Sequence, residues 1–282
     1  MRERARGGSN AGLAWRSGDP KKVGREPGPL RYRARVEYDG TDFAGFQLQP
    51  GARTVQGTLE AALARLSGGV RQPVVGAGRT DAGVHAKGQV IAFTYSGRLS
   101  TNQLVAALNG MLPPDVALRD LRRAPAGFHP RYAARYREYR YTIWNGPRSP
   151  LRERTALWVA APLDTNAMAE AATVFIGRHD FSAFGGADPQ PVRTIDTVRV
   201  RRAGDLVTID VRADAFLRGM VRRIVAALLG VGRGRLDVPT LERALAGRAP
   251  ALGGAAAPAR GLCLRHVALG RRAKRDREHE EA

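Results

Sequence analysis

Cysteine is nearly absent from this chain of 282 residues: Cys263 stands alone, so no internal disulfide can form. Histidine is scarce as well, and His85, His129, His179, His266 and His279 never fall at metal-ligand spacing from one another, so no zinc or iron site is expected. Long apolar runs are missing. The longest, Ile224 to Gly232, is far short of the roughly 20 residues that span a bilayer, and the N-terminus has no apolar stretch of the signal-peptide kind. A soluble, cytoplasmic protein without a membrane segment or bound metal is therefore expected. Lysine is the last scarcity, because Lys21, Lys22, Lys87 and Lys274 are the only four.

What is abundant is arginine. Lys and Arg total 46 against 26 Asp and Glu, for a net charge of +20, and all but four of the cations are Arg. A guanidinium fork pairs bidentately with phosphate and stacks on bases, so the surplus points to RNA or DNA in preference to a bare membrane surface. A GC-rich coding bias accounts for Arg in place of Lys, but not for the surplus itself. The 43% hydrophobic content supports real cores, and the length suggests about two domains at roughly 150 residues each.

Residues 1–29 are rich in Gly, Pro, Arg and Lys without apolar periodicity and read as a flexible basic extension, while 271–282 reads as a charged tail. Between them strands and helices alternate. Arg31 to Tyr38 reads as a strand, and Thr54 caps a helix with Val55, Leu59, Leu63 and Leu66 on one face. A strand ends near Gly78, another runs from Gln89 to Tyr95, and a helix from Asn102 to Met111 stops at Pro113-Pro114. The second half has a strand from Glu138 to Trp144, a helix from Asn166 to Ile176, strands over Thr194 to Arg201 and Leu206 to Arg212, and a helix from Phe216 to Val231. Leu99-Ser100-Thr101-Asn102 and Leu163-Asp164-Thr165-Asn166 open helices in the same way, a faint echo between the halves. The expected class is α+β: halves 30–130 and 131–270 with mainly antiparallel sheets and a ligand cleft between them.

One segment stands out between two apolar strands: Gly76-Ala77-Gly78-Arg79-Thr80-Asp81-Ala82-Gly83-Val84-His85. It fails as a phosphate loop. A dinucleotide fingerprint from Gly76 needs Gly where Asp81 sits, and Gly83 to Gly88 runs into Gln89-Val90 instead of Lys-Ser/Thr. What remains is a carboxylate on a tight turn among glycines that admit a close approach of ribose or backbone. From spacing alone, Asp81 reads first as a turn residue bonding its own backbone.

The segment resembles the signature of bacterial TruA-type tRNA pseudouridine synthases, and the resemblance extends well beyond it. Tyr38 to Gln47, Thr54 to Glu60, Asn109 to Asp115, Phe128 to Arg131, Tyr139-Arg140-Tyr141, Gly177 to Phe184, Phe216 to Arg222 and Gly261-Leu262 follow in family order across nearly all of 30–268. The resemblance implies the pseudouridine synthase fold, a homodimer, no cofactor or metal, and an isomerase that converts uridine to pseudouridine at positions 38 to 40 of the tRNA anticodon arm. It implies that Asp81 is the catalytic aspartate and that Arg222 pairs with it. Tyr139 would stack on the target base and help remove the C5 proton in the last step, Arg79 would help bring the uridine out of its stack, and Leu262 would line the uracil pocket. Without the resemblance, Arg222 is a helix-surface Arg, one of Tyr139 and Tyr141 is core filler, and Leu262 is a core leucine.

Arg218, Arg222 and Arg223, placed on the helix from Phe216, and Arg233 and Arg235 beyond it, are expected to supply phosphate contacts in part. The departures from the family pattern are Phe46 where Trp is usual, and Gly219 and Arg223 where polar or smaller residues are common. Two other readings stay open at this level: a noncatalytic RNA-binding protein on the same scaffold, and a synthase for a different RNA.

Overall fold

In the computed structural model, residues 28–247 and 256–270 are described. The 271–282 tail lies outside them, as does the basic extension apart from Gly28 and Pro29. The strands are β1 (Leu30–Tyr38), β2 (Val75–Gly76), β3 (His85–Tyr95), β4 (Val116–Arg123), β5 (Ala134–Trp144), β6 (Leu157–Trp158), β7 (Gly177–Asp180), β8 (Val192–Ala203), β9 (Leu206–Ala213) and β10 (Leu262–Leu269). The helices are α1 (Val55–Leu66), α2 (Thr101–Met111), α3 (Pro130–Ala133), α4 (Thr165–Ala172), α5 (Met220–Gly232) and α6 (Val238–Leu245).

Period-two alternation builds the sheet. Along β1, Tyr32, Ala34, Val36 and Tyr38 are buried, while Arg31, Arg33, Arg35 and Glu37 take the opposite face. Helices start where local chemistry starts them. The Thr54 hydroxyl accepts from Gly57 N–H to open α1, Ser100 and Gln103 form a reciprocal capping box on α2, and Asp164 caps α4. Both members of the Leu-x-Thr-Asn echo thus open helices.

The ten strands form one sheet in the order β4-β1-β3-β10-β5-β9-β8-β7, with β2 on β3 and β6 on β5. The pairings are antiparallel except β10 with β3 and β6 with β5. The last strand therefore joins the halves: β10 runs antiparallel to β5 over most of its length and parallel to β3 only at Cys263 and Leu264. It crosses close to β3 just there. A Cβ at Gly88 would meet the Arg265 carbonyl at 2.4 Å, so the glycine lies inside β3, which begins at His85 and not at Gln89 as the Gly-rich pattern predicts.

Two further boundaries move for identifiable reasons. The helix expected from Phe216 begins at Met220, because Gly219 sits at φ 71°, outside helical space, and leaves Phe216 to Arg218 in the preceding loop. The helix expected to reach Ile176 ends at Ala172 and tightens into a 3₁₀ turn over Thr173–Phe175. Helix α5 is apolar nearly all round, with Met220, Val221, Ile224, Val225, Ala227, Leu228, Leu229 and Val231 all buried. Burial on this scale makes it a rigid post, and its first turn carries Arg222 and Arg223.

Candidate active site

The Asp81 turn is held from several directions. Ala77 N–H donates to Val90 O at 2.8 Å and Gln89 Nε2 to Gly78 O at 2.8 Å, fastening the turn to β3. The buried Thr80 hydroxyl shares a 2.8 Å hydrogen bond with the Tyr38 hydroxyl at the end of β1. The segment after β1 lies along the same turn as a template: Phe46 N–H donates to Thr80 O at 3.1 Å, and Gly83 N–H donates to Phe43 O at 3.2 Å. Two glycines make this approach possible. Gly45 sits at φ 102° with Thr80 O only 2.9 Å from where a Cβ would be, and a Cβ on Gly76 would meet the Phe46 ring at 2.6 Å. Phe46 is itself buried, so the departure from Trp is absorbed as packing in this bed.

Asp81 and Arg222, 141 residues apart in sequence, meet here: Arg222 Nη1 lies 3.3 Å from Asp81 Oδ2, with the side chains 23% and 30% exposed. The guanidinium is aimed by the segment entering β10. Its Nε donates to Ala257 O at 2.6 Å, and Ala257 N–H donates back to Arg222 O at 3.0 Å. The pair opens on a cleft of about 420 Å³ lined by Asp81, Ala82, Gly186, Arg218, Gly219, Arg222, Arg223 and Ala256. Three of those residues are Arg against one Asp, so the cleft carries a positive field around a single carboxylate.

Tyr139 stands on β5, directly opposite Val211 and Leu264, and meets the Phe216 ring edge-on at 5.2 Å and 89°. Burial pushes its phenol well above the usual value, and the Tyr38 phenol and the Asp81 carboxylate add to that rise against the lowering influence of Arg137. Tyr139 is thus close enough to feel the Asp81 carboxylate, but it is buried and is not among the residues that line the cleft. Tyr141 is buried on the same face, since positions two apart on a strand share a face, and its hydroxyl donates to Pro258 O at 2.8 Å.

Other residues picked out in the sequence lie less centrally. Arg79 is exposed at the start of the turn and outside the cleft lining. Leu262 is buried at the head of β10 opposite Tyr141, also outside that lining. Arg218 and Arg223 line the cleft beside Arg222, Arg218 from the loop before α5 and not from the helix. Among the described residues no group of three or more His, Cys, Asp or Glu side chains converges as metal ligands would, and no helix is long and apolar enough to cross a membrane.

Arg137 went unremarked in the sequence. Its buried guanidinium donates to Ala77 O at 2.8 Å, Arg131 O at 3.0 Å and Asp214 O at 2.6 Å, tying the strand that enters the Asp81 turn to two segments of the second half. The signal was present, since a cation two positions before Tyr139 lands in the buried row of β5.

The sequence model of a family described as tRNA pseudouridine synthase matches residues 34–133 and 171–268. A Shouchella clausii protein, "tRNA pseudouridine synthase A", is 43% identical over 244 residues, covering 85% of this chain and 94% of its own. Proteins of the same name from Pelobacter propionicus and Myxococcus xanthus are each 44% identical, covering 82% and 84% of this chain and 96% and 91% of their own.

Proposed function

Because the chain belongs to the tRNA pseudouridine synthase family, we propose that it converts uridine to pseudouridine in tRNA, at positions 38, 39 and 40 of the anticodon arm, with Asp81 as the catalytic carboxylate. The observation that carries this reading is the Asp81–Arg222 pair, 3.3 Å apart, on a rigid turn at the edge of a basic cleft. The reaction breaks the N1–C1′ bond, turns the uracil in place and joins C5 to C1′. N1 gains a proton and C5 loses one, so no atom is added overall. A carboxylate serves such a reaction by adding to the sugar or base, or by taking a proton from C2′. Arg222 gives it a counter-ion of fixed direction.

Tyr139 walls the target base. With its phenol held neutral by burial, it suits stacking on uracil better than accepting the C5 proton. Arg79, exposed beside the turn, is free to enter the space a flipped uridine leaves, and Leu262 backs the pocket from the sheet. Arg218 and Arg223 would take phosphates, in keeping with recognition of tRNA by shape and backbone. No cofactor is needed for an isomerisation of this kind. The family resemblance further supports a homodimer, acting in the cytoplasm where tRNA is found; a sedimentation mass of twice 30.5 kDa tests the dimer.

The deciding experiment uses tRNA labelled with tritium at uracil C5, which is released when C5 bonds to C1′. Asp81→Asn should release none while binding tRNA as tightly as the parent in a filter assay. Substantial release by that variant would refute the assignment of Asp81.

A further inference from the structure

His85 lies at the start of β3, four residues after Asp81, and is 7% exposed. Its ring contacts three other segments of the chain, at Gly40, Arg154 and Arg260. Nε2 lies 2.8 Å from Arg154 O and 3.1 Å from Arg260 O, and because both are acceptors, Nε2 carries a proton. Nδ1 accepts from Gly40 N–H at 3.0 Å. The Asp39 carboxylate is also 3.1 Å from Nδ1, but it is already served by Thr41 N–H at 3.0 Å, the Thr41 hydroxyl at 2.6 Å and Arg154 Nε at 3.0 Å. Gly40 N–H has no other acceptor among the described residues, so Nδ1 serves it while the Asp39 carboxylate lies alongside.

Two of these contacts lead back to the reacting pair. Gly40 begins the template that lies along the Asp81 turn; a Cβ there would meet Val84 O at 2.0 Å, and its carbonyl accepts from Phe43 N–H, whose own carbonyl receives Gly83 N–H. On the other side, Arg260 follows Ala259, which a Cβ on Gly83 would meet at 3.1 Å, and Ala257, which aims Arg222. One imidazole therefore spans the support of Asp81 and the support of Arg222.

We propose that His85 is a positioning residue for this reaction: its Nδ1–Gly40 bond sets the template that holds Asp81, and its Nε2 contacts keep that template in register with the segment that holds Arg222. This rests on the isomerase reading above. Asn at position 85 can present an oxygen where Nδ1 was, and Gln can present an amide N–H where Nε2 was, so the two variants separate the two contacts.

His85→Gln should lower kcat by about 100-fold, the scale of an ångström's misplacement, with the KM for tRNA within about threefold of the parent; His85→Asn should recover kcat to within about 10-fold. Parent-like kcat in His85→Gln, an Asn variant no better than the Gln variant, or a loss confined to KM would each overturn the proposal. Amide hydrogen exchange of residues 40–46 and 80–84 gives a reading independent of turnover: it should quicken in His85→Gln and not in His85→Asn, and equal exchange in both would overturn the proposal. Failure of the unmodified chain to release tritium would instead strike the isomerase reading, with the exchange data still judging His85.

Discussion

Removing the Arg222 guanidinium tests the site most directly, because its two contacts do different things. Nη1 faces Asp81 at 3.3 Å and Nε holds Ala257 O at 2.6 Å. A hydrogen bond involving a charged group is worth about 1.5–3 kcal/mol, and side chains 23% and 30% exposed place this pair at the low end of that range. Arg222→Met loses both contacts, about 3 kcal/mol, which corresponds to about a 100-fold fall in single-turnover rate if the geometry matters only in the transition state. Arg222→Lys keeps the charge but has one nitrogen for two partners, so about a 10-fold fall is expected. The assay is tritium release under single-turnover conditions with saturating protein, alongside tRNA binding to separate rate from affinity. A Met variant within threefold of the parent rate would refute the claim that the pair orders the carboxylate.

The other predictions concern the surroundings of the pair. Tyr139→Phe keeps the ring against Phe216 and removes a hydroxyl with no hydrogen-bond partner among the described residues, so tritium release should stay within several-fold of the parent; a far larger loss would show that the hydroxyl moves a proton. Tyr139→Ala should cost about 3–5 kcal/mol in urea unfolding, as deletion of a buried ring does, and a negligible loss would show that the ring is not packed as described. Burial pushes the phenols of Tyr38, Tyr139 and Tyr141 upward from the usual 10.0, so all three favour the folded state while protonated. Their contribution is complete below the unfolded value and is lost as pH rises above about 10, by up to about 1.4 kcal/mol per pH unit for each. Equal urea midpoints at pH 8 and pH 11 would contradict this. Gly45→Ala forces a side chain onto φ 102° with Thr80 O at 2.9 Å, so stability should fall by about 1–3 kcal/mol and turnover should fall with it; an unchanged melting temperature would show the template to be slack.

Legibility in the sequence followed the range of the interactions. The α1 and α2 starts were readable because Thr54 and Ser100 cap backbone three residues on. Strand β4 was not readable. Its residues Val116, Leu118 and Leu121 are all buried, but Asp120 at φ 49° sits where the strand kinks, and the alternation slips by one. Strand β10 was missed for another reason: its eight residues look ordinary, and its place between β3 and β5 depends on partners far away in the chain. In the site, Asp81, Arg222 and Tyr139 were picked out through the family's ordered blocks, whereas Ala257, which aims the arginine through its backbone, carries no side-chain signal at all.

Composition, local pattern and block order were enough to establish a basic α+β chain of the pseudouridine synthase kind, with a carboxylate on a glycine-flanked turn, because those properties are carried by residue type and near neighbours. The insertion of β10 that fuses two half-sheets, the meeting of Asp81 with a residue 141 positions away, and the histidine that spans both supports became visible only in the folded chain. Such contacts depend on which backbone groups are left to pair once strands and helices have packed, and no short stretch of sequence encodes that outcome.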